Sequence, residues 1–491
     1  RRRPAPRRPR RRDRRPAAEA SQHADQTVLV RPGSDAALAL GMLGVIVRED
    51  LWDHDFVAAH TTGFEELAAH VRPMTPEWTA RETGVEPDVI VELARSYARS
   101  RRSVILLGGS SMHKTGATWH AARAITCLPA VTGSLGRPGA GFGPRHGAGT
   151  GSNAMTSIVP PSRLDPEKAI TSEMSTIVDR LERGDVDVLF LAGTNMRSSF
   201  TGGDRLGKAL AKTRLVVCVD LFMSDTARAY ADVVLPGTAW LEEQGFKLGP
   251  THLHLMDQVL APRGEARPLW RIYRDLADRL QVDDFFPWRD AEGLVDALLD
   301  TDLIGHRTAA QIRAGGPSVR TAAPDYAYAS LEFPTPSGRV ELRSSEAARL
   351  GLPALPTYEP ARGDPYPLQF VQGRTLTHFH AFYDHGRALP SLHAADPEPM
   401  LWISPPDAAE RAIADRQEIR LHNARGEMAA RALVTERVPK GTVWMRDGWL
   451  GINDLTRPDR TVPDVAVQAF APSGSAAFDA RIEVSPAAPT R

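Results

Sequence analysis

Arg31-Pro32-Gly33-Ser34-Asp35 sets a cation, a tight turn and a carboxylate within five residues, just after the apolar Val28 to Val30. The pattern predicts a short strand, a Pro-Gly turn and a helix opening at Ser34-Asp35, with an apolar run through Ala37, Leu40, Leu43 and Ile46 that ends near Asp50. A strand feeding a helix N-terminus aims backbone N–H groups and a positive dipole end at one point, which suits a phosphate or pyrophosphate. Asp35 adds a carboxylate able to accept two N–H donors, as from a guanine edge. The plain alternative is an Asp that does no more than cap its helix.

A second constellation follows. Val188 to Ala192 reads as a strand closed by Gly193-Thr194-Asn195, and Leu215 to Val219 as another closed by Asp220. Ser224-Asp225-Thr226-Ala227 then leads through Ala231-Asp232 into a strand at Val233 to Leu235, with Glu242-Glu243-Gln244-Gly245 beyond. Strand ends that face one crevice are where open α/β sheets bind ligands, although Asp225 and Thr226 could equally be simple helix caps. Near the C-terminus, Arg374, His378 and His380 offer a guanidinium fork and imidazoles to phosphate and heterocycle atoms. The two histidines also fit ordinary alternation along a strand. Trp449-Leu450-Gly451-Ile452-Asn453 places one amide side chain after a tight turn. The glycine-rich Gly133 to Gly141 follows a helix rather than a strand, so its predicted role is structural.

Ten of the first fifteen residues are Arg, opposed only by Asp13; the remaining chain carries 50 basic and 59 acidic residues, a charge of −9. Nucleic-acid binding by the body is therefore not expected, nor is direct membrane insertion, since no apolar run approaches the roughly 20 residues of a spanning helix. Lys occurs at only six positions, so the arginine run fits a compositional bias and a disordered basic start over residues 1–12. Cys127 and Cys218 are the only cysteines and sit in apolar contexts; they read as core residues and provide no four-cysteine iron–sulfur site.

The chain alternates short strands with helices, adding a helix at Asp88 to Ser100, a buried strand at Ser103 to Gly108 and a helix at His120 to Val131. A Pro-Pro break at 160–161 precedes the second series, and Leu269 to Leu280 is the one strong helix predicted between Ala261 and Pro365. Beyond Pro367 the pattern shifts to short strands, such as Glu418 to His422 and Ala430 to Val434, with a turn at Pro439-Lys440-Gly441. The predicted fold class is α/β, with two Rossmann-like parallel-sheet domains plus a C-terminal β-rich barrel-like domain. The expected divisions are 13–160, 161–260, a connecting segment 261–365, and 366–491.

Taken together and in this order, the motifs resemble the pterin-dinucleotide cradle of the molybdopterin oxidoreductases, the family of formate dehydrogenases, nitrate reductases and dimethyl sulfoxide reductase. The resemblance implies a molybdenum bis(molybdopterin guanine dinucleotide) cofactor and two-electron chemistry on a small-molecule substrate, formate dehydrogenase-like in the nearest subclass. It implies cofactor binding by Arg31, Gly33, Asp35, Gly193, Asn195, Asp220, Asp225, Thr226, Arg374, His378, His380 and Asn453. It also implies an iron–sulfur or other electron-transfer partner, and a cytoplasmic location with the periplasm as the alternative. Asp13-Arg14-Arg15 stands where the family has Asp-Pro-Arg, so the chain reads as starting mid-domain, without iron–sulfur ligands and without the residue that ligates the metal. No catalytic residue or metal ligand is assigned; His113, His120 and His146 could approach the metal, but an isolated histidine reads first as structural. The alternative is a non-catalytic scaffold or partner subunit of the same fold, as in the large iron–sulfur subunit of complex I. A nicotinamide enzyme is disfavoured because no Gly-x-Gly-x-x-Gly joins a strand to a helix.

Overall fold

The helix Asp35–Arg48 is the centre of the N-terminal unit, and its composition shows why it can be. Ala and Leu favour the helix, and buried residues occupy nearly all its faces, including Leu40, Leu43 and Ile46. Gly41 and Gly44 cost helix propensity but let neighbours approach closely: a Cβ at Gly41 would run into the Thr79 side chain, and one at Gly44 would lie 2.7 Å from the Met74 carbonyl. The helices Pro76–Thr83, Pro87–Arg99 and Thr118–Val131 pack around it. The structure is a computed structural model, which describes residues 23–108, 118–144, 173–249, 251–282, 287–360, 364–375, 377, 390–457, 463–466, 478 and 480–487.

Two expectations for this unit are corrected. Val28 to Val30 forms no strand; the following Arg31 N–H instead donates to the Thr83 carbonyl at 2.9 Å, at the end of a helix. The strand β1 (Val104–Leu107) exists but is not buried, with Val104 53% and Leu106 78% exposed. It pairs in parallel with β2 (Gly141–Pro144), a strand that begins at the last residue of the glycine-rich stretch, and among the described residues with nothing else. A two-stranded sheet cannot cover both faces of its members.

The second unit is a parallel sheet of β3 (Val188–Ala192), β4 (Leu215–Asp220) and β5 (Val233–Pro236) in that order. Val216 to Val219 are buried consecutively, as a central parallel strand covered on both faces requires, and this places Cys218 in the core. The helices Met174–Glu182 and Gly203–Lys212 supply Val178, Leu181, Leu206 and Leu210 to the same core.

An antiparallel sheet follows, made of β6 (Gly245–Leu248), β7 (His252–Met256) and β8 (Ser318–Arg320), so the connecting segment adds a strand to the chain before it. That segment also holds more helix than the single one predicted. Ala291–Leu299 and Ala309–Ala314 bury Val295, Leu299 and Ile312 against Leu253. Both are short, which hid them, yet the second carries a legible capping box between Thr308 and Gln311.

The C-terminal part closes into a six-stranded barrel, as predicted. Its strands are β9 (Leu368–Gly373), β10 (Met400–Ile403), β11 (Glu418–His422), β12 (Glu427–Val434), β13 (Thr442–Arg446) and β14 (Ala480–Pro486), running β9-β13-β10-β12-β11-β14 around the barrel. Alternation sends Ile419 and Leu421 inward, leaving Glu418 and Arg420 at the surface. No helix among the described residues is long and apolar enough to cross a membrane.

The close approach at Gly41 gives a direct test of the first core. Gly41→Ala should destabilise the chain by about 1–3 kcal/mol, because the added methyl must push the Pro76–Thr83 helix away, despite the better helix propensity of Ala. A lowered denaturant midpoint in the variant would show it.

Candidate functional site

Four of the predicted residues, Asn195, Asp225, Thr226 and Asn453, converge on the short helix Met196–Ser199, at the end of β3. Gly193 turns the chain there with φ +60°, and its N–H donates to the Val219 carbonyl at 2.8 Å, locking the turn to β4. Asn195 Oδ1 accepts from the Thr226 hydroxyl at 2.7 Å and from its backbone N–H at 3.2 Å. The Thr226 hydroxyl in turn accepts from the Arg197 N–H at 2.9 Å. Ser198 Oγ lies 3.2 Å from Asp225 Oδ2 and 3.2 Å from Asn195 Nδ2, and the Ser198 carbonyl accepts from Asn453 Nδ2 at 2.9 Å. Residues about 30 and 250 positions apart thus meet at one point.

The barrel reaches this point through β9. Gln372 donates to Asn453 Oδ1 at 3.3 Å, while Gln369 donates to the Pro32 carbonyl of the N-terminal turn at 3.2 Å. Residues three apart on a strand point to opposite faces, so β9 lies between the two halves of the predicted cradle and touches both. Beside it, Arg197 makes a two-pronged ion pair with Asp454 at 2.6 and 3.0 Å, and Gly202 N–H donates to Thr456 Oγ1 at 3.0 Å. Arg197, Ser198, Asp454 and Gln372 were not singled out from sequence; they act across separations that no local pattern reveals.

The other predicted residues are placed as follows. Gly33 takes φ +85° at the turn before the helix, and Asp35 is half-buried at its first position. Burial pushes the Asp35 carboxyl above its ordinary range, only partly opposed by its own backbone amide. Ser34 does not cap the helix with its side chain; its hydroxyl turns back to the Arg31 carbonyl at 2.7 Å. The Arg31 guanidinium donates to the Arg81 and Glu82 carbonyls, so it closes the Pro76–Thr83 helix. Asp220 is raised by burial as well, with the Leu221 and Phe222 amides opposing. Arg374 is exposed next to the buried Arg446, whose cationic form is disfavoured by burial and by its repulsion. His378, His380, His113 and His146 lie outside the described residues.

His120 is buried and held down to about 4 by burial and by Arg123, with the Thr357 hydroxyl 3.1 Å from Nδ1; it is a neutral structural histidine, as read. Burial pushes the Cys127 thiol up to about 12, so it is no nucleophile at neutral pH. Among the described residues no group of His, Cys, Asp and Glu is arranged to hold a metal ion.

A cleft of about 520 Å³ opens beside this network, lined by Asp225, Met428, Trp449, Leu450 and Gly451. It sets two carboxylates, Asp225 and Glu427, beside an indole and apolar side chains, groups that suit a planar heterocycle with N–H donors. Among the described residues Gln372 Oε1 is buried nearby without a donor, and Asp35 and Asp220 are carboxylates in part-dry surroundings. These are groups that a polar ligand rich in N–H donors would satisfy. A larger cleft of about 600 Å³ lies elsewhere, lined by Arg123, Cys127, Phe142, Tyr328 and Phe333, and includes none of the predicted residues.

Two α/β units whose turns at Pro32 and Ser198 are both contacted by a C-terminal β-barrel part define a multi-unit α/β protein with its predicted binding residues gathered along that contact. Residues 12–279 match the Molybdopterin oxidoreductase family and residues 368–471 the Molydopterin dinucleotide binding domain, and the chain belongs to the molybdopterin oxidoreductase family. It is 30% identical over 451 residues to the probable oxidoreductase YoaE of Bacillus subtilis, covering 89% of this chain and 65% of the relative. It is 28% identical over 487 residues to the thiosulfate reductase molybdopterin-containing subunit PhsA of Salmonella typhimurium, covering 87% and 63%. Other relatives bear the names of dimethyl sulfoxide/trimethylamine N-oxide reductase, assimilatory nitrate reductase and F420-dependent formate dehydrogenase. The chain therefore spans under two thirds of the length of these relatives. In fold it is similar to acetylene hydratase from Pelobacter acetylenicus, with a TM-score of 0.74 at 23% identity over 96% of this chain and 72% of that one.

The Arg197–Asp454 pair is mostly buried, with side chains 17% and 20% exposed. A double-mutant cycle of Arg197→Ala and Asp454→Ala should give a coupling of about 1–3 kcal/mol, read from denaturant unfolding. Asp220 yields a pH test. Its folded value lies above its unfolded one, so its stabilising contribution is present below about pH 4 and is lost as pH rises through the raised value. Asp220→Asn keeps the acceptor for Leu221 N–H and should raise the melting temperature at pH 7, with the gain shrinking as pH falls toward about 4.

Proposed function

We propose that this chain cradles a molybdenum bis(molybdopterin guanine dinucleotide) cofactor in an oxidoreductase that moves two electrons to or from a small substrate, with formate as the first substrate to test. The observation that carries the reading is the meeting of Asn195, Asp225, Thr226 and Asn453 at one helix beside a cleft walled by Trp449. When bound, the cofactor supplies a dithiolene-held metal able to change oxidation state by two electrons.

The chain's own residues position and shield. Asp225 accepts the ring and amino N–H groups of a guanine, a charge-assisted contact, and the Trp449 indole flanks that edge. Asn195 and Thr226 hold the turn that presents Asp225. Asp35 serves the same role for the second nucleotide, at the turn made possible by the left-handed Gly33. Asn453, held by Gln372, ties the barrel to the Ser198 carbonyl of the cradle. An electron-transfer partner is part of the proposal, since the two electrons must leave or arrive one site away from the substrate.

Chain produced in a host that makes the cofactor should carry molybdenum and release guanosine monophosphate on acid treatment. Asp35→Ala and Asp225→Ala should each lower the released nucleotide about fivefold or more, the loss of a charged hydrogen-bond acceptor being worth roughly that in affinity. Unchanged nucleotide in both variants would remove the assignments, and a wild-type chain free of both metal and nucleotide would favour the scaffold reading.

A further inference from the structure

We propose that Ser198 is a positioning residue whose hydroxyl sets the orientation of the Asp225 carboxylate, and through it the preference for guanine over related purines. The proposal rests on the function proposed above.

Ser198 is 3% exposed and is the one residue in contact with Asn195, Asp225 and Asn453 together among the described contacts. The direction of the hydrogen bonds follows from what each group can do. The Thr226 backbone N–H can only donate, so the Asn195 atom facing it is the carbonyl oxygen, and the atom facing Ser198 is the amide nitrogen. The Ser198 oxygen therefore accepts from Asn195, and its single proton is directed at Asp225 Oδ2, 3.2 Å away. The result is a chain of donors, Thr226 to Asn195 to Ser198 to Asp225, ending on the carboxylate that lines the 520 Å³ cleft.

The Ser198 hydroxyl, donating to Oδ2, restrains the rotation of the Asp225 carboxylate about its Cβ–Cγ bond. Its plane is then set before the ligand arrives, which removes the ordering cost of a bidentate contact. The arrangement matters most for a ligand that engages both oxygens. Guanine offers two adjacent donors, the ring N–H and the exocyclic amine, whereas hypoxanthine offers only the ring N–H. A misaligned carboxylate still accepts one donor well and loses the second.

Ser198 also separates this role from simple packing. Its tie to the barrel runs through its main-chain carbonyl, which accepts from Asn453 Nδ2 at 2.9 Å. Ser198→Ala removes the hydroxyl and keeps that tie. The predicted loss thus falls on ligand discrimination rather than on the docking of the barrel.

The test is equilibrium dialysis of the full chain against guanosine monophosphate and inosine monophosphate, with circular-dichroism melting of each variant. Wild type should prefer the guanine nucleotide. Ser198→Ala should bind it about tenfold more weakly while the inosine nucleotide binds nearly as before, so the preference collapses without a matching loss of melting temperature. Ser198→Cys, of similar size and with a weaker donor, should fall between them. Unchanged guanine affinity in Ser198→Ala, or an equal loss for both nucleotides, overturns the proposal while a guanine preference abolished by Asp225→Ala leaves the cofactor reading standing. A wild-type chain with no guanine preference overturns both.

Discussion

The docking of the barrel against the second α/β unit is the constraint on which the site depends. Asn453 crosses it by donating to the Ser198 carbonyl and is held from the barrel side by Gln372, and its 1% exposure leaves no water to replace either bond. The ion pair of Arg197 with Asp454 sits next to it. A buried pair of this kind adds modest net stability but makes other alignments costly, because any shift strands a charge away from its partner. The cleft beside Trp449 has its shape only while that seam is closed, since its wall is made by both sides.

Much of the fold was legible because local rules and tertiary packing agree. The consecutive apolar run at β4, the helix opening at Asp35 and the alternation at Glu418 to His422 each state their environment directly. Disagreement arose where a partner outside the local window decides the outcome. Val28 to Val30 has strand propensity but finds no strand to pair with, and β1 has the composition of a buried strand with one neighbour only. The helices after Asp290 are too short for periodicity to speak, and only their caps mark them.

The site was legible in its motif residues and silent in their connections. Asp225 and Asn453 belong to patterns that can be recognised in a row, whereas Ser198 sits in an unremarked Met-Arg-Ser-Ser stretch and gains its place from three partners elsewhere in the chain. Arg31 shows the opposite case. A residue chosen for its guanidinium has two donors engaged by the end of a neighbouring helix, and so shapes the turn from behind. Burial raises the Asp35 and Asp220 carboxyls, which costs stability at neutral pH while either is ionised without a partner for its charge.

The separation along the chain between Arg197 and Asp454, 257 residues, also bears on the order in which the molecule can assemble. The second α/β unit and the barrel each have an apolar core drawn from nearby contacts, whereas the N-terminal core takes in the distant Phe333 and Leu342 and the seam requires a loop of 257 residues to close. On a ribosome, the strand ends and turns of both units emerge long before the segment that carries Asp454. The cradle therefore stays open through most of synthesis and is completed last, which leaves a period in which a large, charged dinucleotide can enter from the side rather than thread through a finished cleft.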